Sequence, residues 1–334
     1  GRARAGLRGA LMAGGAAHRR PLAGALAALA ALSACSLFVG VGALSPRMLL
    51  DEPDAVALML ASRLPRTLAV LLAGSGLAIA GLVMQTMARN RFVEPSTAGT
   101  MQGAALGILL VTILAPGASI LAKAAAATAT ALATTSLFLA MIHRLPPTQP
   151  FLVPLFGLVY GGVIGAGVTY VAWQADLLQL IEIWLNGEFS GVLRGRYELL
   201  WLTAACVALT WWVADRLTIM SLGREASVGL GVDYAGMLRV GLVIVSGVSA
   251  LTVVVVGAIP FVGLVVPALV SRLAGDNLRS TIPLVGLCGA MLVLVCDMAG
   301  RLLRYPYEIP VGTVLGVVGA LAFLAILHAG PRHG

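Results

Sequence analysis

The sequence predicts an all-α, polytopic membrane protein with about ten transmembrane helices. Of its 334 residues, 59% are hydrophobic and only 11% are charged, whereas soluble domains carry about 25% charged residues. The apolar residues form long continuous runs that suit helices crossing a bilayer, while strands of a membrane barrel would alternate apolar and polar residues. These observations exclude a soluble enzyme, a nucleic-acid-binding module and a disordered chain.

The apolar runs divide the chain into ten predicted spans. Each span needs about 20 apolar residues, so ten of them leave room for short connections but not for a further soluble domain. The eighth span is short and contains Pro260 and Pro267, and proline breaks or starts helices. The spans are predicted at residues 22–44, 64–87, 98–115, 118–141, 151–172, 197–215, 239–257, 258–273, 282–303 and 310–328.

The distribution of charge predicts the orientation of these spans. The net charge is +8. With both termini in the cytoplasm, the cytoplasmic segments carry +9 and the outer segments −1. Short cytoplasmic loops of membrane proteins are enriched in Lys and Arg. The basic excess therefore indicates cytoplasmic termini and interaction with membrane lipid rather than with nucleic acid.

Three segments differ from the spans. Residues 1–21 are basic and rich in Gly and Ala, which predicts a cytoplasmic tail, and residues 22–330 are predicted to form one transmembrane domain. Residues 173–196 are amphipathic and predict an external connection with a short helix at the membrane surface. Residues 216–238 are predicted to be cytoplasmic, with Gly223 and Gly231 at the ends of a short helical stretch.

The chain lacks the motifs of enzymes and of cofactor or metal sites. A phosphate-binding P-loop requires Gly-Lys-Ser/Thr, but the single lysine, Lys123, is followed by Ala124. The four cysteines lie in apolar runs, and the four histidines lack metal-ligand spacing. The sequence therefore predicts a non-enzymatic protein without a cofactor, in which any ATP is hydrolysed by another subunit.

Charged residues near the predicted outer surface are candidates for function. Asp297 lies in an apolar run, four residues before Arg301, so both share one helix face. They form either a structural ion pair or a site coupling transport to protons or sodium. Arg63 and Arg66 open the second span, and are either anchors at the membrane surface or a docking patch for an acidic partner.

Five segments, taken together, resemble the permease family of bacterial ABC importers for iron–siderophores, haem and cobalamin (type II, FecCD-like importers). They occur in the family's order from about residue 63 to 325. The forms NRFVEPSTAGTM and DMAGRLLRYPYEIPVGT are most similar to the branch serving catecholate-type siderophores such as petrobactin or enterobactin. The segments are RLPRTLAVLLAGSGLAIAGLVMQ, ARNRFVEPSTAGT, SLGREASVGLGV, GAIPFVGLVVP and CDMAGRLLRYPYEIPVGTVLGVVGA.

The resemblance implies a type II ABC importer permease fold in the bacterial inner membrane. It implies a second permease subunit, identical or, as is frequent in this branch, different. It also implies two ABC ATPase subunits, an extracytoplasmic substrate-binding protein and an iron(III)–siderophore ligand. The alternatives are a permease for haem or cobalamin, and an ion-coupled secondary transporter that uses Asp297.

The resemblance also implies roles for individual residues. The chain departs from the family at Arg91, where the family often has proline after asparagine, and at Ala268, where it often has His or Asn. Docking of the binding protein is implied for Arg63, Arg66 and Arg301. Coupling to the ATPase is implied for residues 216–238 and, within them, for Leu222, Gly223, Glu225, Ala226, Leu230, Gly231 and Val232. A cytoplasmic gate is implied for Asn90 and Phe92, and lining of the pathway for Phe156, Tyr160 and Tyr170.

Overall fold

The computed structural model describes residues 22–40, 47–145, 149, 151–275 and 277–328. This part of the chain consists of helices and short connections, without a β-strand, which confirms the predicted all-α class. The basic tail predicted at residues 1–21 lies outside the described residues.

Thirteen helices are labelled here in chain order. The first seven are α1 (Leu22–Phe38), α2 (Pro53–Ala88), α3 (Thr100–Leu114), α4 (Ile120–Ile142), α5 (Leu152–Gln174), α6 (Leu178–Leu185) and α7 (Tyr197–Trp212). The others are α8 (Ala214–Met220), α9 (Arg224–Gly229), α10 (Tyr234–Val256), α11 (Val262–Ala274), α12 (Leu278–Leu302) and α13 (Val311–His328). One further helical turn, Met48–Asp51, precedes α2.

Helix length and composition give six or seven candidate membrane spans in the described part of the chain. Within the described ranges, six helices are long and apolar enough to span a bilayer: α2, α4, α5, α10, α12 and α13. Helices α7 and α8 would together make a seventh span, although they meet at a bend of 65°. Helices α1, α3 and α11 are apolar but shorter, with 10–17 residues each. The predicted eighth span is the shortened α11, which begins only at Val262.

Helix α2 lies at the centre of the bundle and is mostly buried. Its neighbours approach closely because glycines replace side chains at the crossings. A Cβ atom on Gly81 would lie 2.1 Å from the carbonyl oxygen of Gly263 in α11, and one on Gly74 would lie 2.7 Å from that of Gly289 in α12. Small residues allow such close packing between membrane helices.

Several connections between the helices are irregular but still hydrogen-bonded. In the segment after α6, the backbone N–H of Gly187 donates to the carbonyl of Ala258 at 2.9 Å. The carbonyl of Gly187 in turn accepts from Gly312 N–H, also at 2.9 Å. The segment predicted as an external connection therefore joins the start of α13 to the connection between α10 and α11.

Candidate functional site

Five charged residues meet near the start of α2, at one end of the helix bundle. This group, called here the charge cluster, is Arg63, Arg66, Asp297, Arg301 and Glu308. The pairing of Asp297 with Arg301 follows from their spacing on α12, and the structure gives an Oδ2–Nη2 distance of 2.6 Å. Asp297 Oδ1 accepts from Arg66 Nη2 at 2.8 Å. Both carboxylate oxygens of Asp297 are thus bound to a guanidinium.

The second carboxylate of the charge cluster comes from the connection between α12 and α13. Glu308 accepts from Arg66 Nη1 through both oxygens, at 3.0 Å for Oε1 and 2.8 Å for Oε2. Arg66 therefore bridges a buried carboxylate on α12 and a more accessible carboxylate next to α13. This bridge connects parts of the chain that lie 242 residues apart.

The end of α1 is bound into the same cluster. Arg301 donates through Nη2 to Ser36 Oγ at 2.7 Å and through Nη1 to the carbonyl of Val39 at 2.7 Å. Arg63 Nη1 donates to that same carbonyl, also at 2.7 Å. Helix C-termini leave carbonyl groups without partners inside the helix, so the two arginines satisfy an acceptor at the end of α1.

All three arginines predicted to dock a binding protein therefore lie together, but each is buried and internally bonded. In a buried ion pair each charge is stabilised by the other. Removal of one partner costs free energy of folding, because the remaining charge stays buried without a counterion. Direct contact with a docking protein would need rearrangement within the charge cluster. The docking role remains a prediction, and the geometry adds that these arginines hold four segments together.

At the opposite end of α2, the structure describes residues 222–232, the middle of the predicted coupling segment. It contains the short helix α9 between two glycines with positive φ, Gly223 at 102° and Gly231 at 78°. The buried hydroxyl of Ser227 donates to the carbonyl of Gly223 at 2.6 Å, and Val232 N–H donates to the carbonyl of Ser227 at 2.9 Å. These bonds hold the coupling segment in a compact helical conformation at the surface of the bundle.

The coupling segment exposes apolar side chains at this surface. Leu222 is 60% exposed and Leu230 is 62% exposed, with Val228 similarly exposed between them. Glu225 and Ala226 are also exposed, while Gly223 is buried and Val232 is half-buried. An apolar patch with a charged residue beside it is typical of a protein-binding surface.

The predicted gate residues lie in the connection between α2 and α3. Asn90 is buried, and its Oδ1 accepts from Phe92 N–H at 2.9 Å. The Phe92 ring stacks on Phe151 with ring centres 5.3 Å apart, and it meets Phe323 edge-on at 6.1 Å. Phe92 therefore contacts both the start of α5 and the last turns of α13.

The three aromatic residues predicted to line a pathway on α5 have different surroundings. Phe156 stacks on Tyr160 and on the buried Phe138 of α4, and the Tyr160 ring lies tilted against Phe138. The Tyr160 hydroxyl donates to the carbonyl of Thr134 at 2.7 Å. Tyr170 is exposed, and its hydroxyl accepts from Gln174 Nε2 at 3.0 Å. Pathway lining remains a prediction for all three.

Glu94 has a structural role that the sequence did not indicate. Its buried carboxylate accepts from the backbone N–H of Phe261 at 2.9 Å and from the hydroxyl of Ser96. Phe261 directly precedes α11, and a carboxylate is favourable beside a helix N-terminus. No local signal identifies this contact, because its two partners are far apart in sequence. In the described part of the chain, no group of three or more His, Cys, Asp or Glu residues could hold a metal ion.

The chain is similar over most of its length to known transport proteins. It is 41% identical over 297 residues to the petrobactin import system permease protein YclN of Bacillus subtilis, covering 89% of this chain and 94% of that protein. It is 39% identical over 302 residues to the ferric-anguibactin transport system permease protein FatD of Vibrio anguillarum, covering 90% and 96% respectively.

A solved structure has the same architecture. It is an inward-facing conformation of a metal-chelate type ABC transporter, and it matches with a TM-score of 0.80 and 26% identity over 93% of this chain and all of that chain. The sequence profile of the FecCD transport family matches residues 28–329. The chain belongs to the FecCD transport family.

Proposed function

We propose that the chain is the permease subunit of an ABC importer that moves an iron(III)–siderophore complex across the bacterial inner membrane. The observation that carries this proposal is family membership together with 41% identity to a petrobactin import permease. A vitamin B12 import permease, BtuC of Citrobacter koseri, is less similar, at 32% over 275 residues. This difference favours a siderophore over cobalamin.

In this proposal the chain crosses the membrane ten times. The crossings are the six long helices, the bent pair α7–α8, and the shorter helices α1, α3 and α11. Short helices suit membrane-spanning proteins when the irregular backbone beside them is buried in protein. The connection before α3 and the one before α11 meet this condition through the bond between Glu94 and Phe261. Both termini are assigned to the cytoplasm by the excess of basic residues in that orientation.

The two ends of the bundle then face different partners. The charge cluster faces outward, towards a substrate-binding protein. The coupling segment faces the cytoplasm, where its exposed Leu222 and Leu230 offer an apolar contact to an ABC ATPase. Large apolar side chains also remain exposed on α5 and α13, among them Leu158, Val163 and Leu321, which supports contact with a second permease subunit and with lipid.

The permease acts as a bistable gate driven by its partners. Closure of two ATPase subunits on ATP would move the coupling segment, and the helices attached to it would tilt between outward-open and inward-open arrangements. Such switching requires only that each partner bind one arrangement better than the other. Phe92, packed between α5 and α13, is placed to close the cytoplasmic end.

An ion-coupled secondary transporter using Asp297 is less favoured by the geometry. Coupling by an intramembrane carboxylate requires that it take up and release an ion or proton during the cycle. Both oxygens of Asp297 instead bind arginines, and the side chain is almost fully buried. These contacts favour the structural ion pair.

Uptake by intact cells tests the proposed function. A strain lacking this chain would receive radiolabelled iron on catecholate, hydroxamate and citrate carriers, with labelled haem and cobalamin in parallel. Loss of uptake for one siderophore class, restored by the chain only with its ATPase, is the expected result. Loss of haem or cobalamin uptake alone would replace the siderophore assignment, and unchanged uptake of every compound would contradict it.

A further inference from the structure

Within the charge cluster, Glu308 differs from the other four charged residues. Its side chain is 22% exposed, whereas that of Asp297 is 2% exposed and that of Arg66 is 11% exposed. The cluster contains three arginines and two carboxylates, so its formal charge is +1. An approaching protein therefore meets a carboxylate first, although the cluster as a whole attracts anions.

The hydrogen bonds of Arg66 show which carboxylate is exchangeable. Asp297 binds Arg66 and Arg301 at once. Its departure would leave two buried guanidinium groups without this counterion. Glu308 binds a single nitrogen, Nη1 of Arg66, with both oxygens. This is not the paired fork in which a carboxylate uses two guanidinium nitrogens. The remaining nitrogen, Nε, is buried and has no partner. A second carboxylate can therefore reach Arg66 only where Glu308 now lies.

We propose that Glu308 is an internal stand-in for an acidic side chain of the docking protein, and that docking exchanges one carboxylate for the other at Arg66. This inference rests on the proposed function, because it takes the docking partner to be a substrate-binding protein. Exchange keeps Arg66 paired throughout, so no buried charge is left without a counterion. Simple addition of a third carboxylate would instead bring two anions to the same nitrogen.

The surroundings offer Glu308 a place to move to. A cavity of about 400 Å³ is lined by Arg304, Tyr307, Glu308, Ile309, Pro310 and Thr313. Arg304 is exposed and lies over the Tyr307 ring, 5.9 Å from its centre. Within the described residues it forms no ion pair. A released Glu308 carboxylate therefore has a second guanidinium in the same cavity.

Exchange at Arg66 would also act on the helices beyond. Glu308 lies three residues before the start of α13, and the neighbouring Ile309 N–H donates to the carbonyl of Gly300 at 3.0 Å. Gly312 is bound through Gly187 to Ala258, in the connection that leads to α11. Release of Glu308 thus removes one of the contacts that hold this hydrogen-bonded backbone. Docking would in this way change the contacts next to the starts of α11 and α13.

Binding of the purified substrate-binding protein to the permease–ATPase complex tests the exchange. Glu308→Gln removes the competing charge with little change in shape, and we expect the docking affinity to rise by about tenfold at low salt. Glu308→Asp retains a shortened competitor and should give a smaller increase. Glu182→Gln removes an exposed carboxylate on α6 that is not among those bound to Arg66, and controls for a general change in surface charge. Thermal unfolding of each complex verifies assembly.

The outcomes separate the exchange from the function on which it rests. If Arg66→Gln weakens docking while neither Glu308 variant strengthens it, the exchange is wrong and the docking surface stands. An increase that Glu182→Gln reproduces in full also contradicts the exchange. If the wild-type complex binds no substrate-binding protein, the proposed function fails together with the exchange. Tighter docking in both Glu308 variants, with Glu182→Gln unchanged, supports the exchange.

Discussion

The carboxylate of Glu94 accepts a hydrogen bond from the backbone N–H of Phe261, 167 residues away along the chain. Glu94 lies in the irregular connection between α2 and α3, and Phe261 lies in the one between α10 and α11. Both connections adjoin short helices, α3 and α11. The contact therefore makes the two connections one unit, so that movement of either must involve the other.

Loss of the Glu94 carboxylate should destabilise the fold. Glu94→Ala leaves the part-buried N–H of Phe261 without this acceptor, which costs about 1–3 kcal/mol. Glu94→Gln keeps an acceptor oxygen but removes the charge beside the start of α11, so the loss should be smaller. Thermal unfolding in detergent measures both. Glu182→Ala, at an exposed site on α6, is the matched control, and equal unfolding temperatures for Glu94→Ala and this control would contradict the assigned role.

The crossing of α2 and α11 depends on the absence of side chains. In Gly81→Ala, the new Cβ would lie 2.1 Å from the carbonyl oxygen of Gly263 and 2.2 Å from its Cα. The backbones must separate, and overpacking of this kind costs about 1–3 kcal/mol or more. Gly162→Ala on α5 is the control, because a Cβ there has nothing within 4 Å. It should be neutral or gain about 0.5–1 kcal/mol in helix propensity. Similar unfolding temperatures for the two variants would argue against the close crossing.

Asp297→Asn should reduce the stability of the fold and leave ATP as the energy source of transport. Arg66 and Arg301 would each lose a charged partner in a buried setting, with a cost of about 3–5 kcal/mol. The folded fraction should still transport in an ATP-dependent and protonophore-insensitive manner. A variant of normal stability that has lost all transport would instead point to ion coupling at Asp297. Unfolding in detergent and uptake per folded molecule are the two measurements.

Substitutions in the coupling segment should separate ATP hydrolysis from transport. Glu225→Ala removes an exposed charge from the coupling segment. Gly231→Trp forces a bulky side chain onto a backbone with φ of 78°, which residues other than glycine rarely adopt. Both variants should hydrolyse ATP at the basal rate but lose ligand-stimulated hydrolysis and uptake. Arg144→Ala, at an exposed position just after α4 and outside the coupling segment, should retain both activities. Normal ligand-stimulated ATP hydrolysis in the Glu225 and Gly231 variants would contradict a role of the segment in coupling.

Local patterns in the sequence were sufficient for the all-α class, for the apolar stretches of the long helices and for contacts within one helix. The apolar run from residue 64 to 87 predicted most of α2, and the spacing of four residues predicted the pairing of Asp297 with Arg301. The i,i+4 relation places side chains on one face whatever the rest of the fold does. The late start of α11 agrees with Pro260, two residues before it.

Contacts between distant segments could not be predicted in this way. Nothing near Glu308 in the sequence indicates that it binds Arg66, because the contact depends on how the connection before α13 folds over α2. The π-helical turn at Met59–Arg63 also extends α2 beyond the predicted start at residue 64. The sequence therefore identified the arginines of the charge cluster, but not the carboxylate that covers them or the end of α1 that they bind.

The most direct test of the central claim is uptake by proteoliposomes that contain this chain with its permease partner and ATPase subunits, supplied with the binding protein loaded with an iron–siderophore complex. The account predicts accumulation of iron that requires ATP and the binding protein, persists with a protonophore, and disappears in the Glu225→Ala variant. Accumulation without ATP that collapses on addition of the protonophore would contradict the account and identify an ion-driven transporter.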